Sequence, residues 1–419
     1  MSVVKSSFYL AISTVLKIIL GALSLKIIAY YIGSNGFGVL GQFMSIISII
    51  SLTAGLGITN GVISNISKNK DSKTEMSHVI SAGFWIGFVF SCLLFFFLFV
   101  FSNFISFQLF KTSEYSIVIK ALAFLQFFNL FSVIFGGYLN GRQYSKDFSF
   151  ITIISSIIGT LILTLLVYYF KEIGSMLGLI ILSVFPGLIL LFLYFVKFKK
   201  EITILYFSDL KYDTVKSLLR HSVMLVFSSC LLPLSQVFVR DLILINNSWS
   251  NVGYWQAALK LSESGVIFLN VIMVNYYFPE IGKCNHTELK KLINKAYLIL
   301  GSLLLVYILS MFFFREILIS IFFDVSFKPA QDLLVWQAIG DAFKVLCSVF
   351  GFLVVFKESV KIYLILETIL FLTIVSLSYF FVPIYGTLGA NYAYALSYFI
   401  YFIIGLFYLK NYIKKFNVL

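Results

Sequence analysis

Long apolar stretches separated by short polar segments dominate the chain. Each stretch has about 18 residues or more, enough to cross roughly 30 Å of hydrocarbon as a helix, whereas a β-barrel would show shorter alternating segments. Arg315 and Glu316 interrupt the ninth stretch, so we expect its spanning part to end at residue 314. The pattern predicts twelve spans, at residues 8–31, 37–63, 77–101, 115–139, 148–170, 174–196, 219–245, 252–278, 296–323, 330–356, 361–382 and 385–409.

Lysine and arginine lie mostly in the short segments between the predicted spans. If both termini are cytoplasmic, 21 basic residues fall in cytoplasmic segments and 4 on the opposite side. This asymmetry is the positive-inside pattern and predicts that orientation. The longest connection then divides the chain into an N-terminal six-helix half at 1–200, a cytoplasmic loop at 201–218 and a C-terminal six-helix half at 219–419.

The composition agrees with a membrane protein and excludes several soluble classes. The chain of 419 residues is 60% apolar and 12% charged, whereas a soluble domain is roughly half apolar and a quarter charged. The net charge of +13 follows from the loop asymmetry, so we expect no nucleic-acid partner. The cysteines and histidines do not cluster, and no P-loop is present. We therefore predict no metal, no cofactor and no ATP hydrolysis.

The second half of the chain repeats features of the first at a distance of about 215 residues, which slips to 211–212 near the end of each half. Since each half has an even number of spans, the two halves point the same way. The sequence thus predicts an all-α membrane protein of two pseudo-symmetric six-helix bundles around a central cavity that holds the substrate. The matched segments are Ser34–Gly38 with Trp249–Gly253, Gly136 with Gly351, and Arg142 with Lys357.

Three glycine-rich segments resemble a known family. Gly36–Gln42 and Gly55–Gly61 resemble the first two helices, and Gly136–Arg142 the end of the fourth helix, of Wzx-type O-antigen and polysaccharide flippases. These belong to the multidrug/oligosaccharidyl-lipid/polysaccharide exporter superfamily. The twelve-span layout and the length agree over essentially the whole chain.

The resemblance implies a function that composition alone does not. It implies a flippase, not an enzyme, which moves an undecaprenyl-diphosphate-linked oligosaccharide, such as an O-antigen repeat unit, across the bacterial inner membrane. Membrane lipid, a proton or sodium ion and a polysaccharide polymerase are the further partners that it implies. The mechanism would be alternating access, in which the two halves rock about the cavity.

Ten charged residues fall inside the predicted spans, where a charge is costly unless it faces protein or water. We expect these residues to line a hydrated interior whose basic excess attracts an anionic head group. The basic members are Lys17, Lys26, Lys120, Arg240, Lys260 and Lys344. The acidic members, expected to serve in ion coupling or charge pairing, are Asp241, Glu263, Asp341 and Glu367.

The ten positions differ in what their spacing indicates. Lys260 and Glu263 are three residues apart on one helix face, as are Asp341 and Lys344, so each pair could be a structural ion pair or could exchange its partner for a phosphate. Lys17, with no acidic residue one turn away, is expected to contact the diphosphate or to pair with an acid on another helix. The positions of Lys26, Lys120 and Arg240 near the outer surface also fit snorkelling. The abundant phenylalanines and tyrosines are expected to be mostly lipid-facing.

Two other functions fit parts of the pattern. A drug or metabolite exporter of the same superfamily would prefer an acidic cavity for organic cations, and the basic excess argues against it. A membrane-embedded glycosyltransferase or polymerase would need a large extramembrane loop with catalytic groups, and the longest loop here is short and basic.

Overall fold

The computed structural model is built from α-helices. It describes residues 3–54, 57–200, 202–205, 207, 210–273, 277, 280–281, 286–357 and 360–416. Over these residues it contains no β-strand, and two short 3₁₀ helices, at Phe198–Lys200 and Val325–Ala330, accompany the α-helices. The prediction of an all-α membrane protein is confirmed.

Seven α-helices precede residue 200. They are α1 (Val3–Ala54), α2 (Thr59–Lys68), α3 (Lys73–Val100), α4 (Ser102–Phe110), α5 (Ser116–Leu125), α6 (Phe127–Gly141) and α7 (Ser145–Val196). Two of them, α1 and α7, each consist of two consecutive helices joined at one residue with non-helical backbone angles. In α1 this residue is Gly33, with φ 64° and ψ −173°. In α7 it is Lys171, with φ 46° and ψ −114°. Each break therefore separates two consecutive predicted spans.

Seven further α-helices follow the connecting segment. They are α8 (Tyr212–Asn246), α9 (Trp249–Ile272), α10 (His286–Phe313), α11 (Arg315–Phe322), α12 (Gln331–Lys357), α13 (Val360–Tyr385) and α14 (Thr387–Phe416). The expected end of the ninth span is confirmed, because α10 stops at Phe313 and a short separate helix starts at Arg315.

The described helices account for all twelve predicted spans. Nine helical segments within the described residues are long and apolar enough to cross a membrane. Two of them, Tyr9–Ser51 and Ser145–Val196, each hold two spans because of the breaks at Gly33 and Lys171. The remaining span is α9, whose 24 residues carry the charged Lys260 and Glu263 and are less apolar than the others.

The chain divides into two compact units. The N-terminal unit consists of residues 1–32 and 42–233, and the C-terminal unit of residues 33–41 and 234–419. The division therefore assigns the first turns after Gly33 to the C-terminal unit. The rest of the second span belongs to the N-terminal unit.

Paired hydroxyl groups set the register of two helices in the N-terminal unit. The Ser13 and Ser149 side-chain oxygens lie 3.4 Å apart, as do those of Ser24 and Thr160. Both pairs are separated by 136 residues in sequence, so the first part of α1 and the first part of α7 run parallel. Small hydroxyl residues permit such close approach of helices where lipid gives no hydrophobic drive.

The connecting segment packs on the N-terminal unit and is not a free loop. Ser77 and Ser81, one turn apart on α3, accept hydrogen bonds from the backbone N–H groups of Thr203 (3.2 Å) and Leu205 (2.8 Å). The Trp85 indole N–H donates to the Leu205 carbonyl at 3.0 Å. Helix α3 thus supplies partners for a non-helical backbone that would otherwise require water.

The two repeat segments predicted from the sequence touch each other inside the C-terminal unit. A Cβ atom added to Gly38 would overlap the carbonyl oxygen of Trp249, and one added to Gly253 would overlap the carbonyl oxygen of Ser34. Each contact is the other shifted by 215 residues, so the pair has the reciprocity of a two-fold interface. The repeat distance inferred from the sequence is therefore reproduced by backbone contacts.

This backbone contact predicts that alanine will be poorly tolerated there. Gly38→Ala or Gly253→Ala should destabilise the protein by about 1–3 kcal/mol, because the added methyl group meets backbone that cannot rotate away. Gly301→Ala is the matched control, since a Cβ at Gly301 in α10 meets nothing within 4 Å and the change removes a helix-weakening glycine. Thermal unfolding of the purified variants in detergent measures the difference, and equal melting temperatures for all three would contradict the contact.

Candidate functional site

An ion pair within α9 begins a polar cluster in the C-terminal unit. The Lys260 ammonium lies 2.8 Å from a Glu263 carboxylate oxygen, and both side chains are partly buried. The spacing of three residues predicted this pairing, and the structure confirms that geometry. Both residues retain enough exposure to exchange partners.

Asp341 on α12 is the most buried acidic group of the cluster. It is 1% exposed, and each of its carboxylate oxygens accepts a hydrogen bond, one from the hydroxyl of Ser262 on α9 and one from the hydroxyl of Tyr394 on α14 at 2.7 Å. The Ser262 hydroxyl in turn lies 2.7 Å from the hydroxyl of Tyr307 on α10. One connected network thus joins four helices and replaces the water that the carboxylate has lost.

Lys344, one turn beyond Asp341 on α12, is the basic centre of the cluster. Its ammonium lies 6.0 Å from the centre of the Tyr398 ring. Its charge lies within electrostatic range of three carboxylates, those of Glu263, Asp341 and Glu367. Only one of these acids, Asp341, lies on the same helix as Lys344.

Glu367 on α13 extends the cluster to a fifth helix. Its carboxylate accepts a hydrogen bond from the Tyr401 hydroxyl at 3.2 Å. Tyr394, Tyr398 and Tyr401 occupy positions i, i+4 and i+7 of α14, so they share one face of that helix. Each of these tyrosines contacts a charged member of the cluster, two through hydroxyl groups and one through its ring.

Arg240 on α8 lies inside the protein. It is 1% exposed, and its guanidinium donates to the side-chain oxygen of Gln256 at 2.7 and 3.3 Å. The guanidinium also lies 5.2 Å from the Trp255 ring, a cation–π contact. In this structure Arg240 is held by protein groups and does not snorkel to the surface, while its neighbour Asp241 is half-buried.

The charges of this cluster balance. Arg240, Lys260 and Lys344 are its basic members, and Glu263, Asp341 and Glu367 its acidic members. Asp241 on α8, with its half-buried side chain, lies outside this balance, so the C-terminal unit as a whole holds three basic and four acidic members of the ten. The basic excess expected from the sequence therefore does not come from this part of the molecule.

The remaining three candidate lysines belong to the N-terminal unit. Lys17 and Lys26 are exposed on α1, and Lys120 on α5 is half-buried with its ammonium 5.9 Å from the centre of the Phe99 ring. All of the basic excess among the ten intramembrane charges therefore lies in this unit. The structure brings six of the ten predicted residues into one cluster, and these three lysines lie outside it.

The polysaccharide biosynthesis protein family matches residues 3–285. The chain belongs to this family. Its resemblance to polysaccharide flippases, which the sequence suggested, is thereby confirmed at the level of the family.

Two relatives of this chain are flippases. The lipid III flippase of Escherichia coli (strain K12) is 26% identical over 410 residues, which cover 96% of this chain and 97% of the relative. The lipid III flippase of Shigella flexneri matches equally well.

Solved structures of the MOP superfamily share the fold. The inward-facing conformation of a multidrug resistance MATE family transporter superposes with a TM-score of 0.80 at 15% identity, covering 98% of both chains. A MOP superfamily transporter from Pyrococcus furiosus, described as having a binding pocket of reverse polarity, gives a TM-score of 0.73 at 17% identity. It covers 98% of this chain and 96% of that one.

The tyrosines of the cluster are functional candidates that the sequence reasoning missed. Tyrosine was expected to be mostly lipid-facing, yet Tyr394 and Tyr398 are buried, and Tyr307 and Tyr401 hydrogen-bond within the cluster. The available signal was the spacing of the three α14 tyrosines, which puts them on one face. Hydropathy alone does not distinguish that face from one that meets lipid.

The network around Asp341 predicts a stability difference between two tyrosines of the same helix. Tyr394→Phe should cost about 1–3 kcal/mol, because it leaves a buried carboxylate oxygen without its donor. Tyr392→Phe should change stability by less than about 0.5 kcal/mol, since the Tyr392 hydroxyl has no hydrogen-bond partner among the described residues while its ring packs on Trp336. Thermal unfolding of the two variants measures this difference, and equal melting temperatures would contradict the hydrogen-bond network around Asp341.

Proposed function

We propose that this protein moves an undecaprenyl-diphosphate-linked oligosaccharide, an O-antigen repeat unit or a similar glycan, from the cytoplasmic to the periplasmic leaflet. Membership of the polysaccharide biosynthesis family and the near-complete match to lipid III flippases support this class of substrate. A transporter of such a lipid must move hydroxyl groups and a diphosphate past hydrocarbon. Polar groups inside the membrane lower that cost by replacing water.

The balanced cluster of the C-terminal unit is the observation that carries this proposal. Lys260 is only partly buried and has a single carboxylate partner at 2.8 Å, and the ammonium group of Lys344 lies within electrostatic range of three carboxylates. A diphosphate offers such lysines charged oxygens in place of a carboxylate. The displaced carboxylate is then left without its cation in a poorly hydrated place, and uptake of a proton or sodium ion restores the balance.

This exchange links substrate binding to an ion. We infer that the driving force is an ion gradient and that the carboxylates of Glu263, Asp341 and Glu367 are the groups that respond. Rocking of the two six-helix halves then gives alternating access to the two faces of the membrane. Lipid in the surrounding bilayer accommodates the undecaprenyl chain throughout, and a polysaccharide polymerase would consume the product.

A drug or metabolite exporter is the second candidate. The multidrug resistance transporter fold favours it, since acidic residues within such a fold would suit an organic cation. Against it stand the three basic side chains that accompany the acids and the three lysines of the N-terminal unit. A transport assay with both substrate classes separates the two candidates.

Reconstitution into liposomes tests the proposal through Lys17. The exposed position of Lys17 on α1 predicts that Lys17→Ala leaves folding intact but abolishes movement of the lipid-linked oligosaccharide, because an anion-attracting charge is lost. Lys17→Arg should retain partial activity, since it keeps the charge and changes the shape. Translocation is measured by access of an impermeant glycan-binding lectin to the outer leaflet.

Three results would count against these roles. Wild-type liposomes that move an organic cation but no lipid-linked oligosaccharide would favour the exporter. Normal transport by Lys17→Ala would remove Lys17 from substrate binding. A parallel fall in abundance and melting temperature would make Lys17 a structural partner of an acid on another helix.

We further propose that both termini are cytoplasmic and that the protein resides in the bacterial inner membrane. The prediction is that a cysteine introduced at Ser248, in the short turn between α8 and α9, reacts with an impermeant maleimide added from outside. A cysteine introduced at Lys70, between α2 and α3, should react only after the membrane is opened. Labelling of position 248 from the cytoplasmic side alone would reject this orientation.

A further inference from the structure

The repeat distance of 215 residues connects the charged cluster to a second set of residues in the N-terminal unit. The distance is fixed by the reciprocal contact of Gly38 and Gly253. From Gly38 and Gly253, α1 and α9 continue as unbroken helices through Ser48 and Glu263. In the same way, one unbroken helix joins Asn129 to Gly136, and another joins Lys344 to Gly351. The equivalent positions are Ser45 and Lys260, Ser48 and Glu263, Gln126 and Asp341, and Asn129 and Lys344.

Every one of these four pairs is a neutral polar residue in the first half and a charged residue in the second. The N-terminal unit therefore carries neutral residues at four positions that the repeat relates to members of the ionic cluster. We call Ser48, Ser51, Ser91, Gln126 and Asn129 the neutral set. Ser51 is included because the Asn129 amide donates to its hydroxyl, and Ser91 because the Gln126 amide donates to its backbone carbonyl.

The neutral set is an organised group of side chains. The amide of Gln126, fully buried at the junction of α5 and α6, donates to the carbonyl oxygen of Ser91 on α3 at 2.8 Å. The amide of Asn129, one turn further on α6, donates to the hydroxyl of Ser51 on α1 at 3.5 Å. Three segments of the unit thus converge, as four helices do around Asp341.

The neutral set has hydrogen-bonding capacity that the described residues do not use. The side-chain oxygen of Gln126 and the hydroxyl of Ser91 are both fully buried and have no partner within the described part of the chain. Most buried polar atoms in folded proteins are hydrogen-bonded, so these two atoms retain the capacity for a further bond. Ser51 is half-exposed and Ser48 exposed, so these two serines form the accessible edge in front of the amides.

We propose that the neutral set binds hydroxyl groups of the glycan. This inference rests on the proposed function and adds a glycan-binding site to it. Amides and hydroxyls both donate and accept, as sugar hydroxyls do, so they match a glycan in either orientation. Since none of them is charged, they give no preference for a diphosphate, which charged donors bind better.

The proposal is tested with two lipids, one with and one without the oligosaccharide. Binding is measured in nanodiscs for undecaprenyl diphosphate that carries an oligosaccharide and for undecaprenyl diphosphate without sugar. Gln126→Leu combined with Asn129→Leu should weaken binding of the glycan-bearing lipid by about tenfold, which corresponds to the loss of one or two hydrogen bonds. Binding of the sugar-free lipid should stay within about twofold of wild type.

The repeat supplies the matched comparison. Asp341→Gln combined with Lys344→Asn gives the C-terminal unit the residues that the N-terminal unit already has at these positions, and it should weaken binding of both lipids. Ser48→Ala combined with Ser51→Ala probes the accessible edge without touching the buried amides, so it serves if the leucine variant fails to fold. Ser302→Ala, at an exposed serine of α10, is the control for loss of a hydroxyl elsewhere.

The outcomes separate this inference from the function on which it rests. If wild-type protein binds neither lipid, the proposed function fails. If wild type binds both lipids but the variants of the neutral set weaken them equally, or weaken neither, the proposed function stands and the glycan-binding role of the neutral set is wrong. Selective weakening of the glycan-bearing lipid by folded variants supports that role.

Discussion

A carboxylate in the middle of a membrane protein must be given partners that replace water, and this requirement organises the C-terminal unit. Asp341 obtains its partners from the helices around it, since Ser262 comes from α9 and Tyr394 from α14, with Tyr307 of α10 behind Ser262. The groups that solvate the charge are therefore also contacts that hold four helices together. Removing a partner exposes an unsatisfied charge and loosens helix packing at once.

The sequence was sufficient for the fold at the level of its spans. A hydrophobic run and its charged borders are local properties, which is why the twelve spans and the interruption at Arg315 could be predicted. The docking of Leu205 on Ser81 and Trp85 could not, because it joins residues about 120 positions apart through short polar side chains that leave no mark on hydropathy. A Lys-rich connection therefore looked like a solvated loop although its backbone is hydrogen-bonded to α3.

Contacts of the candidate site within one helix could be predicted from the sequence, whereas contacts between helices could not. Lys260 and Glu263 share one helix, and their spacing gave the pair correctly. Arg240 depends on Gln256 and Trp255 of another helix, so its nearly complete burial could not be read from α8 alone. The same holds for Lys344, whose charge reaches Glu263 and Glu367 on two other helices. The spacing of residues shows which of them share one face of a helix. Which faces of two helices contact each other is decided by tertiary packing.

The tyrosines of α14 explain why only one half of the repeat is ionic. The equivalent positions in the first half, 211–212 residues earlier, are 182–183, 186–187 and 189–190, and none of them is tyrosine. Charges at the positions of Gln126 and Asn129 would therefore lack the phenol hydroxyl and ring face that Asp341 and Lys344 receive from Tyr394 and Tyr398, because the hydroxyl residue among these positions, Ser183, bonds to its own helix. An amide needs fewer partners than a carboxylate and costs less when one is missing. Neutral residues in the first half and charged residues in the second are thus each matched to the helix that faces them, which allows one backbone arrangement to present two kinds of chemistry.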